Sequence, residues 1–364
     1  MDRYLEPIKI AFITFPIIAA LFTFPFLVFQ YKKYGYINKI RSIVLYSLLL
    51  FFITAYYLVI LPLPNIKDIG NFQKPITKYM QLIPFTFILD FLKETNLQWN
   101  QPSTYLNILG ERALLQAVFN VILLMPLGIY LRYYFRKSLG KTIIITFLIS
   151  LFFETTQVTG LYGIFKTPYR LFDVDDLILN TFGGILGYLL APKITYFLPN
   201  SDKYDVNIDF KNMQLSFTRR VVAAIIDFII VLSIIILLKS KYSAALVLIS
   251  YYIFLPYKTN GRTVGKWMTR MQLKGSADKL MLKEISIRSC IFLLILSMQI
   301  LLTFITPVLT IIYNLVLLTY IIFRTIENDK ILFYEKISGT RNIIVLEEES
   351  SRHKSKISIR QQVA

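Results

Sequence analysis

The sequence predicts an all-α, polytopic integral membrane protein of about nine transmembrane helices in two bundles. Three observations carry this. Of 364 residues, 55% are hydrophobic and only 17% charged, with a mean hydropathy of +0.56, whereas a soluble domain is less apolar and about a quarter charged. The apolar residues form runs near the roughly 20 residues that cross a bilayer. The net charge of +18 falls in alternate connections between those runs, as the positive-inside rule requires.

The runs are 8–29, 41–62, 113–134, 141–160, 174–191, 217–238, 242–257, 285–305 and 307–323. The first contains Pro16 and Pro25, which predict a kink, and reads as a span or an uncleaved signal-anchor. Run 242–257 is short and polar-tinted, the weakest of the nine. The stretch 285–323 exceeds one span, and Pro307 marks a turn within it. Basic residues fill 30–41, 132–141, 193–220, the loop 258–288 with its eight, and the segment after Phe323 with eight more. The alternate connections carry few, except the long 63–112, where four Lys and Arg112 stand against Asp68, Asp90, Glu94 and Glu111, and long loops are poor topology markers. The N-terminus is therefore expected outside and the C-terminus in the cytoplasm. Residues 78–92 are apolar but too short to span. They suit an interfacial or re-entrant helix, or one packed over the bundle.

A polar, proline-containing stretch at 192–216 divides the chain. The expected domains are a five-span unit over 1–191, a cytoplasmic linker over 192–216, a second membrane domain over 217–345 and a polar basic tail over 346–364. No repeat relates the halves, so an inverted-repeat transporter is not indicated. The single Cys290 and single His353 exclude a disulfide framework, a His-based triad and a His-rich zinc site. No metal site and no cofactor are expected. Gly261-Arg262-Thr263-Val264-Gly265-Lys266 lacks the glycine spacing of a phosphate loop; its basic loop is expected against anionic lipid heads.

Polar residues concentrate in 152–187. Glu154 and Gln157 share a face of the fourth span, and Asp173, Asp176 and Asn180 share a face of the fifth. A short loop with Arg170 joins them. An ionisable group inside a span is costly unless paired or functional, and Glu154 opposite Arg170 is a natural pair. Asp173, Asp175 and Asp176 also suit the positive N-terminus of a helix. Two readings stay open: a functional polar pocket, or caps and counter-ions. Glu154, Asp173 and Asp176 are the candidates for acid and base work, although no nucleophile stands out. Gly183 and Gly187 form GxxxG, which permits close helix approach.

This half resembles the VanZ-like family over about residues 40–191. The matching segments are Tyr79–Phe85, with Gln81 where the family has Asn; Phe119–Gly128, with Asn120 and Pro126; Glu154–Gln157; and Arg170–Gly184. The resemblance implies a part in low-level resistance to lipoglycopeptides such as teicoplanin. Its implied ligand-binding residues are Asn120, Glu154, Gln157, Arg170, Asp173, Asp175, Asp176 and Asn180. An envelope lipid, a lipid-linked wall precursor or the antibiotic is the expected ligand, and nucleic acid is not a partner.

In the second half, Arg219 and Arg220 precede Asp227, with Arg220 and Asp227 two turns apart on one face. A buried Asp in a span demands a partner, expected in Arg220 or another cation. With Gly261–Lys266, Arg288 and Tyr334–Thr340, these residues resemble the RDD family over about 213–345, Tyr334-Glu335 standing where His-Asp is usual. The charged residues carried over are Arg220, Asp227 and Glu335. That resemblance implies transport of ions or small solutes as the alternative function.

Overall fold

The computed structural model describes residues 2–61, 63, 79–95, 100–101, 108, 110–165, 168, 170–201, 204–205, 208, 213–239, 241–277, 279–326 and 331–345. The tail 346–364, most of 64–107 and parts of the linker lie outside the described residues. Among the described residues, eight helices are long and apolar enough to cross a membrane, so the chain is an all-α multi-pass membrane protein. The chain forms two compact units, one of residues 1–21 and 38–207, the other of 22–37 and 208–364.

The first unit contains α2 (Lys39–Ile60), α4 (Arg112–Tyr133), α5 (Leu139–Val158) and α7 (Val174–Ile194), with the short α3 (Thr86–Glu94) and α6 (Gly160–Gly163). Its core joins Ala55, Val59, Leu124, Leu127, Leu131 and Phe153. Lipid is as apolar as these side chains, so burial alone cannot hold such helices together; close packing and polar contacts must. The GxxxG of α7 supplies the first. A Cβ on Gly183 would stand 1.9 Å from the Val121 carbonyl oxygen, and one on Gly187 1.8 Å from that of Met125. The backbones of α4 and α7 therefore touch over a full turn. Two-residue strands β1 (Met80–Gln81) and β2 (Phe172–Asp173) pair in parallel and bring the start of α3 to the start of α7.

The second unit contains α8 (Phe217–Leu238), α12 (Leu282–Ile305) and α13 (Pro307–Ile326), with Pro307 opening α13 as the sequence predicts. It also holds the end of α1 (Asp2–Tyr34), which runs unbroken through both prolines. Tyr31 packs with Val222 and Ile226, the Lys32 ammonium lies over the Trp267 ring at 3.3 Å, and Arg270 donates to the Lys32 carbonyl at 2.9 Å. These contacts draw residues 22–37 into this unit, whereas the sequence boundaries group them with the first.

Run 242–257 falls short of the eight long spans. It forms α9 (Lys241–Ile249), a π-helical turn (Ser250–Phe254) and α10 (Leu255–Lys258). It nonetheless carries the chain back along α8, since Arg220 near the start of α8 and Arg288 near the start of α12 meet at the same Glu335. The short α11 (Val264–Met268), strands β3 (Met271–Lys274) and β4 (Arg341–Ile344), paired antiparallel, and α14 (Phe333–Ser338) cover that end. Large side chains such as Ile311, Leu315 and Val316 on α13 stay exposed, as lipid-facing surface requires.

Candidate functional site

The polar residues of the first unit gather where α5 ends and α7 begins. Asp173 is the N-cap of α7, its carboxylate accepting from the Asp175 amide at 2.9 Å. Its own N–H donates to Glu154 Oε2 at 3.0 Å. Burial pushes the Asp173 carboxyl above the usual carboxylate range, opposed by the Asp175 amide.

Asp175 reaches across to α3. Its carboxylate accepts from the Phe85 amide (2.5 Å), the Thr86 hydroxyl (2.7 Å) and the Phe87 amide (2.9 Å). An acid at the first turn of a helix satisfies orphan donors and complements the helix dipole. Asp175 thus anchors α3 and is spent on that task. Gln81 folds back on the same turn, donating to the Ile83 carbonyl and the Thr86 hydroxyl, each at 2.6 Å.

Asp176 and Glu154 are held by neutral donors. Asp176 accepts from the Asn120 amide of α4. Glu154 is 2% exposed. One turn below, Asn180 donates to Ser150 Oγ at 2.9 Å, and its own carbonyl oxygen is buried without a partner among the described residues. Ser150 was not among the residues expected from sequence. It lies at i, i+4 and i+7 with Glu154 and Gln157, a spacing that could have disclosed it.

Gln157 and Arg170 take another path. Gln157 donates to the Val59 carbonyl at 2.8 Å and Arg170 to the Leu61 carbonyl at 3.3 Å. Both satisfy carbonyls left open at the C-terminus of α2, where a cation is also favoured. Arg170 thus gives one hydrogen bond to backbone, while its charge also acts on Glu154 and Asp176. Between these groups and α7, α6 makes a left-handed turn with Leu161 and Tyr162 both at φ 56°, a conformation that L-residues adopt at a cost of about 1–2 kcal/mol each. Among the described residues no group of three or more His, Cys, Asp or Glu is placed to hold a metal ion. The arrangement can bind hydroxyl or amine groups, or exchange a proton between two buried acids.

In the second unit, Arg220 and Asp227 do not serve one another. Asp227 accepts from the Tyr251 hydroxyl (2.6 Å), the Thr263 hydroxyl (2.7 Å) and the Gly265 amide (2.7 Å). Its partners are thus neutral donors where a cation was expected, one, Tyr251, in the π-helical turn and two at the N-terminus of α11. Gly265 is required there: a Cβ would lie 2.1 Å from the Ala223 carbonyl oxygen. Arg220 instead pairs with Glu335 at 2.7 Å, and Arg288 approaches the other oxygen at 3.6 Å. Asn342 and the Leu332 amide complete the Glu335 shell at 2.7 and 3.0 Å. Despite burial, Arg220 and Arg288 hold the Glu335 carboxyl below the usual carboxylate range.

Fold and site together define a helical multi-pass membrane protein with a buried acidic and amide cluster at one end of its first unit. Residues 43–197 match the sequence model of the VanZ/LLP1 family, so this stretch, from within α2 to just beyond α7, is similar to that family. The match stops short of the second unit and gives no support to its RDD resemblance. No curated protein and no solved structure matches the chain.

Proposed function

We propose that the cluster of Glu154, Asp173, Asp176, Asn120 and Asn180 engages an envelope lipid, a lipid-linked wall precursor or a lipoglycopeptide, and so contributes to teicoplanin-type resistance. The observation that carries this reading is the pair of acids, Glu154 and Asp176, held by an amide N–H and an asparagine and facing one another's charge. Beside them α3 exposes Ile88, Leu89 and Leu92 while Asp175 fixes its start, a combination suited to an acyl chain at the bilayer boundary. In a deletion strain, Glu154→Gln or Asp176→Asn should abolish teicoplanin tolerance at unchanged membrane abundance. Full tolerance in both variants would remove function from this cluster.

The proposed orientation puts the cluster outside and residues 192–216 in the cytoplasm. Charge alternation supports it, as does the return of the interrupted α9–α10 segment along α8. In a Cys290→Ser background, Gly163→Cys should label from outside and Asp205→Cys should not; the reverse pattern inverts the topology. A second reading, RDD-type movement of ions or small solutes, draws on the buried Asp227 beside a cavity of the second unit. Sodium or solute flux in proteoliposomes, lost in Asp227→Asn, is its test.

A further inference from the structure

That cavity has a volume of about 130 Å³ and lies where α8, α10, α11 and α12 come together at the Glu335 end of the second unit. Three cationic side chains line it: Arg220, Lys266 and Arg288. The arginines are fixed in place. Arg220 is tied to Glu335, and Arg288 donates to the Thr340 hydroxyl at 2.9 Å while its guanidinium stacks 4.7 Å from the Tyr334 ring centre. Both carboxylates of the region are already filled, Glu335 by its two arginines, Asn342 and a backbone amide, Asp227 by two hydroxyls and an amide.

Lys266 differs from the two arginines. Its amide donates to Thr263 Oγ1, but its ammonium makes no hydrogen bond or salt bridge among the described residues. Burial and the positive Arg288 together push it down to about 8, only partly offset by Asp227 and Glu335. A charge held so poorly in the fold is one that an incoming anion would stabilise.

We infer that this cavity binds a phosphoryl anion, as inorganic phosphate or as the phosphate of an anionic phospholipid, through Lys266 flanked by Arg220 and Arg288. The cavity matches a single phosphate group in scale, below the roughly 300–1,000 Å³ of sites that enclose a whole drug-sized ligand. Basic pockets between span ends are suited to phosphate head groups, and the apolar Ile285 and Phe292 in the lining suit the lipid source.

The test uses the full chain in nanodiscs. Inorganic phosphate is titrated in phosphatidylcholine discs, and phosphatidylglycerol retention is compared with phosphatidylcholine retention by native mass spectrometry. Binding in the first arm alone identifies the free anion, and selective retention in the second identifies the lipid. Lys266→Ala should weaken whichever binds by about tenfold or more, the loss of one hydrogen bond to a charged group, and Lys266→Arg should restore it. On the wild-type chain, the same ligand should slow acetylation of Lys266. Binding in neither arm, equal binding by Lys266→Ala, or acetylation indifferent to the ligand would overturn the assignment.

Discussion

Glu335 in the second unit and the pair Glu154 and Asp176 in the first are buried in opposite ways, while Asp227, in the second unit, is held by neutral donors as that pair is. In the second, Glu335 sits between two arginines, and every oxygen is committed. In the first, Glu154 and Asp176 accept from a backbone amide and an asparagine. A buried acid matched by cations is a structural clamp, because removing it strands those cations in low dielectric. An acid held by neutral donors gives up less when its charge is removed and can respond to a ligand or a proton. Similar residue types thus form an ion-pair clamp at Glu335 and neutrally held acids at Glu154 and Asp176, where the proposed function places the site.

The comparison breaks most visibly at the clamp. Glu335→Ala should cost the second unit about 3–5 kcal/mol, the loss that follows when a buried pair is left half-made. Hydrogen exchange resolved by unit should show α8 and α14 opening while α4 and α7 keep their protection. Equal loosening of both units would mean that Glu335 is not a local clamp. A smaller effect is expected where the first unit depends on shape. Gly187→Ala should destabilise the α4–α7 contact by about 1–3 kcal/mol, as overpacking does, and lower abundance without changing the polar residues. If abundance and thermal stability stay unchanged, the close approach to Met125 is not holding the helices.

The smallest effect sharpens the contrast through pH. Glu335 has a folded pKa below its usual 4.5, so its contribution is present above that value and fades as pH falls through the folded one. Asp173 is raised from its usual 3.8, so its contribution is present below that value and is lost as pH rises through the folded one. Acidification should therefore loosen α14 and β4 while tightening the first turn of α7. Exchange rates that move in the same direction at both places would contradict the assignment.

Much of this was legible in the sequence because it is local. Apolar runs set the eight long helices, Pro307 set the start of α13, GxxxG marked the face that meets α4, and the acids around Asp173 announced a helix N-terminus. What stayed hidden was pairing over distance. Asp175 meets an amide 90 residues away, and Arg220 meets an acid 115 residues away. Helical periodicity put Arg220 and Asp227 on one face, yet two turns separate them by about 10.5 Å along the axis, too far for an ion pair. The composition of α11 held the missing partner of Asp227, in the Thr263 hydroxyl and Gly265 amide.

The π-helical turn at Ser250–Phe254 bears on how the chain is made. It interrupts a segment that is already short, and the Tyr252 carbonyl within it accepts from the Ser289 hydroxyl of α12 at 3.1 Å. Inside a bilayer an unmet carbonyl costs several kcal/mol. When α9 and α10 leave the ribosome, α8 is already present to offer Asp227 to Tyr251, but Ser289 has yet to be synthesised. The segment should therefore settle in two stages, docking first on the helix before it and becoming secure only when α12 follows. Chains truncated between Gly275 and Leu282 would hold this hairpin in its half-settled state.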